Sequence, residues 1–204
     1  MATNLAQALR LMLVTDDALV GGRDVLSLVV AAERGGATGV QLRLKQATAS
    51  DLARIGRALL EQIRIPLIIN DRLDVALAIG AQGVHLGPDD IPVSLARRIA
   101  PPGFIIGASV GTESELENGA LADYWGVGPW AATGTKRDAG IALGAAGFAR
   151  IAARAGTRPC VAIGGIQPDD VAAALAAGAA GVAVVSGILG AEDIIAATRR
   201  YRAR

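Results

Sequence analysis

Cysteine, histidine, aromatic residues and net charge are all scarce in this chain. Among its 204 residues there is one cysteine and one histidine, and tryptophan, tyrosine and phenylalanine occur twice each. The single Cys160 cannot close an intrachain disulfide, which fits a reducing compartment. His85, with no second His and no thiolate pair, is a poor zinc ligand. Twenty Lys and Arg against nineteen Asp and Glu leave a formal net charge of +1. Nothing global therefore draws the chain to nucleic acid or to an anionic membrane, and any anion must be bound by a local group of charges. No apolar run reaches the length of a membrane span. The opening MATNLAQALRLMLVTDD has one Arg and no apolar core leading to a small-residue cleavage site, so it does not read as a signal peptide. A cytoplasmic location is the expectation.

Ala, Val, Ile and Leu dominate the 52 % of hydrophobic residues, and there are 26 glycines. That mixture suits parallel strands covered on both faces, which read as continuous apolar runs. Such runs occur at Leu11–Thr15, Gly39–Leu44, Pro66–Asn70, Gly83–Leu86, Phe104–Ala108, Tyr124–Gly128, Cys160–Ile163 and Val182–Val185. Helix-period segments lie between them at Asp24–Arg34, Ser50–Ile63, Arg72–Ile79, Val93–Ile99, Pro168–Ala177 and Ala191–Arg202. Ser50 before Asp51 and Gln167-Pro168-Asp169 act as start signals. Gly-rich turns around Gly36, Gly80 and Gly178 recur where a helix feeds a strand.

Eight units of about 25 residues match a compact (β/α)8 TIM barrel, an α/β fold forming one domain over residues 1–204. An open doubly wound sheet shows the same alternation, but eight strands and the absence of a GxGxxG opening the first helix favour the barrel. The weakest helix follows strand six, where 129–144 reads as a long loop; Trp125, Trp130 and Phe104 read as packing residues, with a cover for the mouth as the alternative for Trp130.

A barrel keeps its chemistry at the C-terminal ends of its strands. Thr15-Asp16 stands there after strand one, and Gln41, Arg43 and Lys45 line one face of strand two by period-two alternation. Asn70-Asp71, His85, Asp89-Asp90, Ser109, Thr133-Gly134-Thr135-Lys136, Gly164-Gly165 and Ser186-Gly187 complete the rim. Two carboxylates, Asp71 and Asp90, delivered to one end by neighbouring strands repel unless a cation lies between them, and hard oxygen ligands suit Mg²⁺. Two cations pointing into a barrel need an anion. For Arg43 an internal ion pair with Asp71 or Asp90 is an even alternative to a diphosphate. The glycines after strands seven and eight suit a second, phosphate-binding turn. Two phosphorylated ligands in one mouth point to a transfer in which diphosphate leaves. His85 reads as a hydrogen-bonded packing or substrate-contact residue, and Cys160 as core.

The ordered motifs resemble the thiamine-phosphate synthase (thiamine-phosphate pyrophosphorylase) family over nearly the whole chain. They are LMLVTD at 11–16, GVQLRLK at 39–45, IINDRLDVALAIGAQGVHLGPDD at 68–90, IGAS at 106–109, ADYWGVGP at 122–129, TGTKRD at 133–138, VAIGGI at 161–166 and AGAAGVAVVSGI at 177–188. The resemblance implies a transferase joining 4-amino-2-methyl-5-hydroxymethylpyrimidine diphosphate to 4-methyl-5-(2-phosphoethyl)thiazole, carboxylated or not, to give thiamine monophosphate and diphosphate. It implies that Gln41, Arg43, Lys45, Asn70, Ser109 and Lys136 hold the pyrimidine diphosphate, with Arg43, Lys45 and Lys136 stabilising the leaving group. It implies Asp71 and Asp90 as ligands of a Mg²⁺ cofactor, with Asp89 the weaker candidate. Thr133, Gly134, Thr135, Gly165, Val185 and Ser186 would hold the thiazole phosphate. Its partners would be small phosphorylated molecules, with no nucleic acid and no membrane, and a homo-oligomer is compatible with all of this.

The nearest rival is a thiazole tautomerase of similar sequence, which uses a histidine near the end of strand six; Gly126-Val127-Gly128-Pro129 stands there instead. A non-catalytic thiamine-phosphate-binding regulatory barrel would show erosion of Asp71, Asp90, Arg43 or Lys136, and all four are present. A sugar-phosphate isomerase would have no use for the strand-two cations.

Overall fold

The computed structural model describes residues 5–132 and 140–202. Eight parallel strands close into a barrel in sequence order, each hydrogen-bonded to the next and β8 to β1. They are β1 (Leu11–Val14), β2 (Gly39–Leu42), β3 (Leu67–Asn70), β4 (Gly83–Leu86), β5 (Ile105–Ser109), β6 (Tyr124–Val127), β7 (Cys160–Ile163) and β8 (Gly181–Val184). Short helix α1 (Leu5–Ala8) precedes β1, and α2 (Asp17–Val20) and α3 (Val25–Gly35) follow it. Then come α4 (Ala49–Gln62), α5 (Leu73–Ile79), α6 (Val93–Ile99), α7 (Gly144–Ala152), α8 (Asp170–Ala176), α9 (Ser186–Leu189) and α10 (Ile194–Arg200). The expected TIM barrel is thus the observed architecture. No helix among the described residues is long and apolar enough to cross a membrane.

Boundaries differ from the sequence reading where side chains override pattern. α4 starts at Thr48, whose hydroxyl accepts the Asp51 N–H, and not at Ser50. Such a cap contributes about 1 kcal/mol. Leu52 and Leu59, both buried under α4, contribute about 2 kcal/mol each by burial, so packing outweighs the cap in holding this helix. After β5 two 3₁₀ turns, Glu113–Glu115 and Asn118–Leu121, replace a helix. Trp125 fixes the second by donating its indole N–H to the Gly119 carbonyl at 2.8 Å. The helix after β6 does form, as α7, beyond the long connection. Trp130 is buried edge-on against Phe148, ring centroids 5.9 Å apart, so it belongs to the core and does not cover the mouth.

Two separate cores result. One lies between strands and helices and takes the outward side chains, for example Val40 and Leu42 of β2. The other fills the barrel: Met12, Val14, Ile68, Ile105, Tyr124, Val161 and Ala183, closed from below by Leu9. Tyr124 is the largest side chain of that interior and it needs a neighbour without one. Gly107 is that neighbour, since a Cβ there would come within 2.3 Å of the Tyr124 ring. Gly107→Ala is expected to lose about 2–3 kcal/mol of stability through overpacking, measured by urea unfolding. An unchanged midpoint would mean that Tyr124 is free to move.

Candidate functional site

A cavity of about 320 Å³ opens at the C-terminal end of the barrel, within the range of small-ligand sites. Its lining includes Gln41, Arg43, Lys45, Asn70, Asp71, His85, Asp90, Ser109, Gly165, Val185 and Ser186. Every proposed site residue within the described part of the chain therefore reaches one space. Thr133, Gly134, Thr135 and Lys136 lie outside the described residues.

The floor is polar. The His85 imidazole sits between Tyr124 and Ser109, with Nδ1 3.0 Å from the phenol oxygen and Nε2 3.1 Å from the serine hydroxyl. Gln41 hydrogen-bonds the same phenol. Four strands, β2, β6, β4 and β5, each contribute one member of this row. His85 is thus more than packing: it is buried, it lines the cavity, and both ring nitrogens are engaged.

The cationic wall is built by the turn after β1. β2 ends at Leu42, so Arg43 and Lys45 lie beyond the strand and are held from outside it. The Thr15 hydroxyl takes the Arg43 N–H at 2.8 Å and donates to the Arg43 carbonyl at 3.0 Å. The Asp17 carboxylate takes the Lys45 N–H at 2.7 Å. Asp16 caps α2 with one oxygen, accepting the Ala18 N–H at 3.1 Å, and pairs with Arg43 through the other at 2.7 Å. The anion expected beside Arg43 is therefore Asp16, not Asp71 or Asp90. Lys45 does reach Asp71, Nζ to Oδ2 2.5 Å, but its side chain is 54 % exposed. Solvent screens such a pair to a fraction of a kcal/mol, so it yields readily to a stronger anion.

The carboxylate pair is strained and crowded. Asp71 has φ of 64°, the one positive value at a non-glycine position among the described residues. The Arg72 N–H returns to the Asn70 carbonyl at 2.7 Å, a three-residue turn around Asp71 that costs backbone energy. Its own N–H is anchored to the His85 carbonyl at 2.8 Å. Asp90 takes the Gly87 N–H at 2.6 Å. Burial, with the Asp71 carboxyl hydrogen-bonded beside it, pushes the Asp90 carboxyl up to about 6, against the opposing pull of Gly87 and Lys45. The two carboxyls lie beside one another where a divalent cation would fit. Among the described residues no third acid, His or Cys joins them. Two carboxylates fit Mg²⁺ nonetheless, because it is commonly held by one or two of them plus phosphate oxygens and water.

Across the barrel, Gly164 and Gly165 turn the chain after β7 with φ of 90° and 70°. Both meet the segment after β6, whose Trp130 and Ala131 N–H groups bond to the Ile163 and Gly164 carbonyls at 2.8 and 2.9 Å. A Cβ on Gly165 would lie 2.8 Å from the Ala131 carbonyl oxygen, so tight packing alone demands glycine. Val185 and Ser186 then start α9. Its first N–H groups have no intrahelical acceptor and are available to a ligand.

Comparison with known proteins decides what such a mouth belongs to. The family model described as thiamine monophosphate synthase matches residues 11–188. The chain belongs to the thiamine monophosphate synthase family. It is 49 % identical over 199 residues to a thiamine-phosphate synthase of Azorhizobium caulinodans, covering 95 % of this chain and 93 % of that protein. It is 47 % identical over 190 residues to one of Moorella thermoacetica, covering 90 % of each. A solved thiamine phosphate pyrophosphorylase of Pyrococcus furiosus superposes with a TM-score of 0.86 at 38 % identity, covering 98 % of this chain and 96 % of that one. Thiamine-phosphate synthase activity, a transferase reaction, follows at that level of description.

Sequence reasoning placed Asp16 at the rim without its partner and overlooked Tyr124 and Asp17 as parts of the site. Asp16 and Asp17 were legible only as polar residues after a strand; nothing in spacing says that they reach strand two. Tyr124 sits inside an apolar strand, and no local signal marks its hydroxyl.

Asp90 yields a test by linkage. Its folded-state pKa lies above the ordinary carboxylate value of 3.8, so its protonated form is favoured by folding. That contribution is full below pH 4 and is lost as pH rises through about 6. Asp90→Asn is therefore expected to be more stable than the parent by about 1 kcal/mol at pH 7.5, a figure reduced for solvent screening. The difference should vanish near pH 4. Urea unfolding at the two pH values measures it, and a variant less stable at both would show no penalty on the ionised pair.

Proposed function

We propose that the chain joins 4-amino-2-methyl-5-hydroxymethylpyrimidine diphosphate to the thiazole phosphate, with or without a ring carboxylate, releasing diphosphate (and carbon dioxide where the carboxylate is present) and forming thiamine monophosphate. The observation that carries this is the pair Asp71 and Asp90 facing Arg43 and Lys45 at one cavity wall. A strongly anionic ligand accompanied by a cation suits both sets of charges at once.

In this reading Arg43 offers a forked donor to diphosphate oxygens and Lys45 a point charge, exchanging Asp71 for the ligand. Lys136 adds a third cation from the loop after β6. Asn70 and Gln41 hold the pyrimidine, and Ser109 bonds it from the floor. A Mg²⁺ held by Asp71 and Asp90 would supply further neutralisation of the diphosphate charge. The carbon–oxygen bond of the pyrimidine methylene breaks, its electron pair leaves with diphosphate, and the ring spreads the positive charge that remains. The thiazole nitrogen then forms the new carbon–nitrogen bond with its lone pair. Gly165, Val185 and Ser186 anchor the thiazole phosphate on the opposite side, and the family resemblance assigns Thr133, Gly134 and Thr135 to the same phosphate. Positioning and fixed charge supply the acceleration, and no nucleophile of the protein is needed.

Purified protein with both substrates and Mg²⁺ is expected to form thiamine monophosphate, and chelation to abolish it. Silence with and without metal would sink the proposal. Asp71→Asn is the sharper variant, because Asn tolerates the left-handed backbone that Ala would strain. It is expected to lose turnover by about a hundredfold or more while retaining thiazole phosphate binding by calorimetry. Undiminished turnover would remove Asp71 from the metal site.

A further inference from the structure

Strand β2 parts from β1 just before its cations begin, and side chains of the β1 turn take over from the sheet. The last main-chain bond between the two runs from the Thr15 N–H to the Gln41 carbonyl at 3.0 Å. Beyond it a continuing parallel ladder would supply Arg43 with a main-chain partner. The chain turns into α2 instead, and the Thr15 hydroxyl stands in for that partner. It accepts the Arg43 N–H at 2.8 Å and donates to the Arg43 carbonyl at 3.0 Å, so both peptide groups of one residue meet one side chain. Thr15 has no solvent exposure, and water does not compete for these bonds. Lys45 sits in a turn closed by the Ala47 N–H on the Leu44 carbonyl at 3.2 Å. The Asp17 carboxylate spans that turn, one oxygen taking the Lys45 N–H at 2.7 Å and the other the Gln46 N–H at 3.3 Å. Arg43 and Lys45 line the cavity, whereas Thr15 and Asp17 do not.

We propose that Thr15 and Asp17 are positioning residues: they fix the backbone from which Arg43 and Lys45 reach the diphosphate, and touch no ligand themselves. This rests on the reading of Arg43 and Lys45 as diphosphate ligands given above. Two cations on a segment free of the sheet would have to be ordered at the moment of binding, at a cost subtracted from affinity. A backbone already held by Thr15 and Asp17 is ordered during folding, so the anion meets both charges at a set spacing. Arg43 is held twice, at its backbone by Thr15 and at its guanidinium by Asp16. Lys45 is held at its backbone alone, and its exposed side chain stays free to exchange Asp71 for the ligand. These four bonds would stabilise the fold in any case. A positioning role is marked by a loss confined to the diphosphate side.

Calorimetric binding of inorganic diphosphate in the presence of Mg²⁺ reads the effect without turnover. Thr15→Val keeps the shape of the side chain and removes both bonds. It is expected to weaken diphosphate binding about tenfold and to leave thiazole phosphate binding within about twofold of the parent. Thr15→Ser, which keeps the hydroxyl, should restore diphosphate affinity to within about twofold. In an Arg43→Ala background, Thr15→Val should weaken diphosphate by no more than about twofold further, because the residue it acts through is gone. Asp17→Ala, at a half-buried position, is expected to give the same selective loss, and it decides where Thr15→Val does not fold. Equal loss of both ligands, loss of neither, a serine variant as weak as the valine one, or the full loss repeated without the Arg43 side chain overturns the proposal. A parent protein that does not bind diphosphate overturns the synthase reading and this proposal together. A parent that binds it equally well with and without the two side chains overturns the positioning role alone. Selective loss in a protein that binds diphosphate yet forms no thiamine monophosphate upholds the positioning role and removes the synthase.

Discussion

Closing eight short strands leaves a barrel interior with room for few large side chains, and Tyr124 takes the space at mid-height. It does so only because Gly107 beside it has no side chain and Gly126 leaves the His85 ring its place. Below it Met12, Ile68, Ile105 and Leu9 are apolar and dry. Above it Gln41, His85 and Ser109 bring polar groups into the cavity beside Val14 and Ile163. The phenol is therefore the boundary between a core that stabilises and a cavity that binds, with its ring on one side and its hydroxyl on the other.

Charge at the rim is arranged as two unequal pairings. Arg43 is held by Asp16, which is itself locked as the cap of α2, so the guanidinium has a fixed position. Lys45 leans on Asp71 from an exposed position and is easily drawn away. Asp71 and Asp90 crowd each other in a half-buried place, and Asp71 holds an unfavourable backbone conformation to do so. Strain and like-charge proximity both cost stability in the free protein, and a cation would offset the second. Sites that bind an anion and a metal together commonly hold such stored cost, since a fully satisfied site would have nothing to gain from its ligand.

Much of this was legible in the chain. Eight apolar runs separated by helix-period segments specify a parallel barrel because each strand is covered on both faces and each crossover is helical. The ends of those runs named Gln41, Arg43, Lys45, Asn70, Asp71, Asp90, Ser109, Gly165, Val185 and Ser186, and all of them line one cavity. Boundaries were less legible. Gly39–Leu44 alternates correctly through Leu44, yet the strand stops at Leu42, because Thr15 and Asp17 hold the next residues from outside the sheet. Trp130 reads as a packing residue, with a lid over the mouth as the alternative that its place on a loop leaves open. The Phe148 ring on α7, eighteen residues away, takes it into the core.

Periodicity by itself determined the architecture, since one side-chain period per element is a local property that the chain carries in order. The identity of the charged residues led to the expectation of an anion and a hard cation. The tertiary structure alone decided which charges meet. Arg43 pairs with Asp16, twenty-seven residues away, and not with Asp71 or Asp90, because the turn after β1 holds the residues that follow β2. The tertiary structure alone also joined Gln41, His85, Ser109 and Tyr124 into one row, since barrel closure brings four separate strands around a single ring. Such pairings depend on distances set by closure, and no local pattern along the chain encodes them.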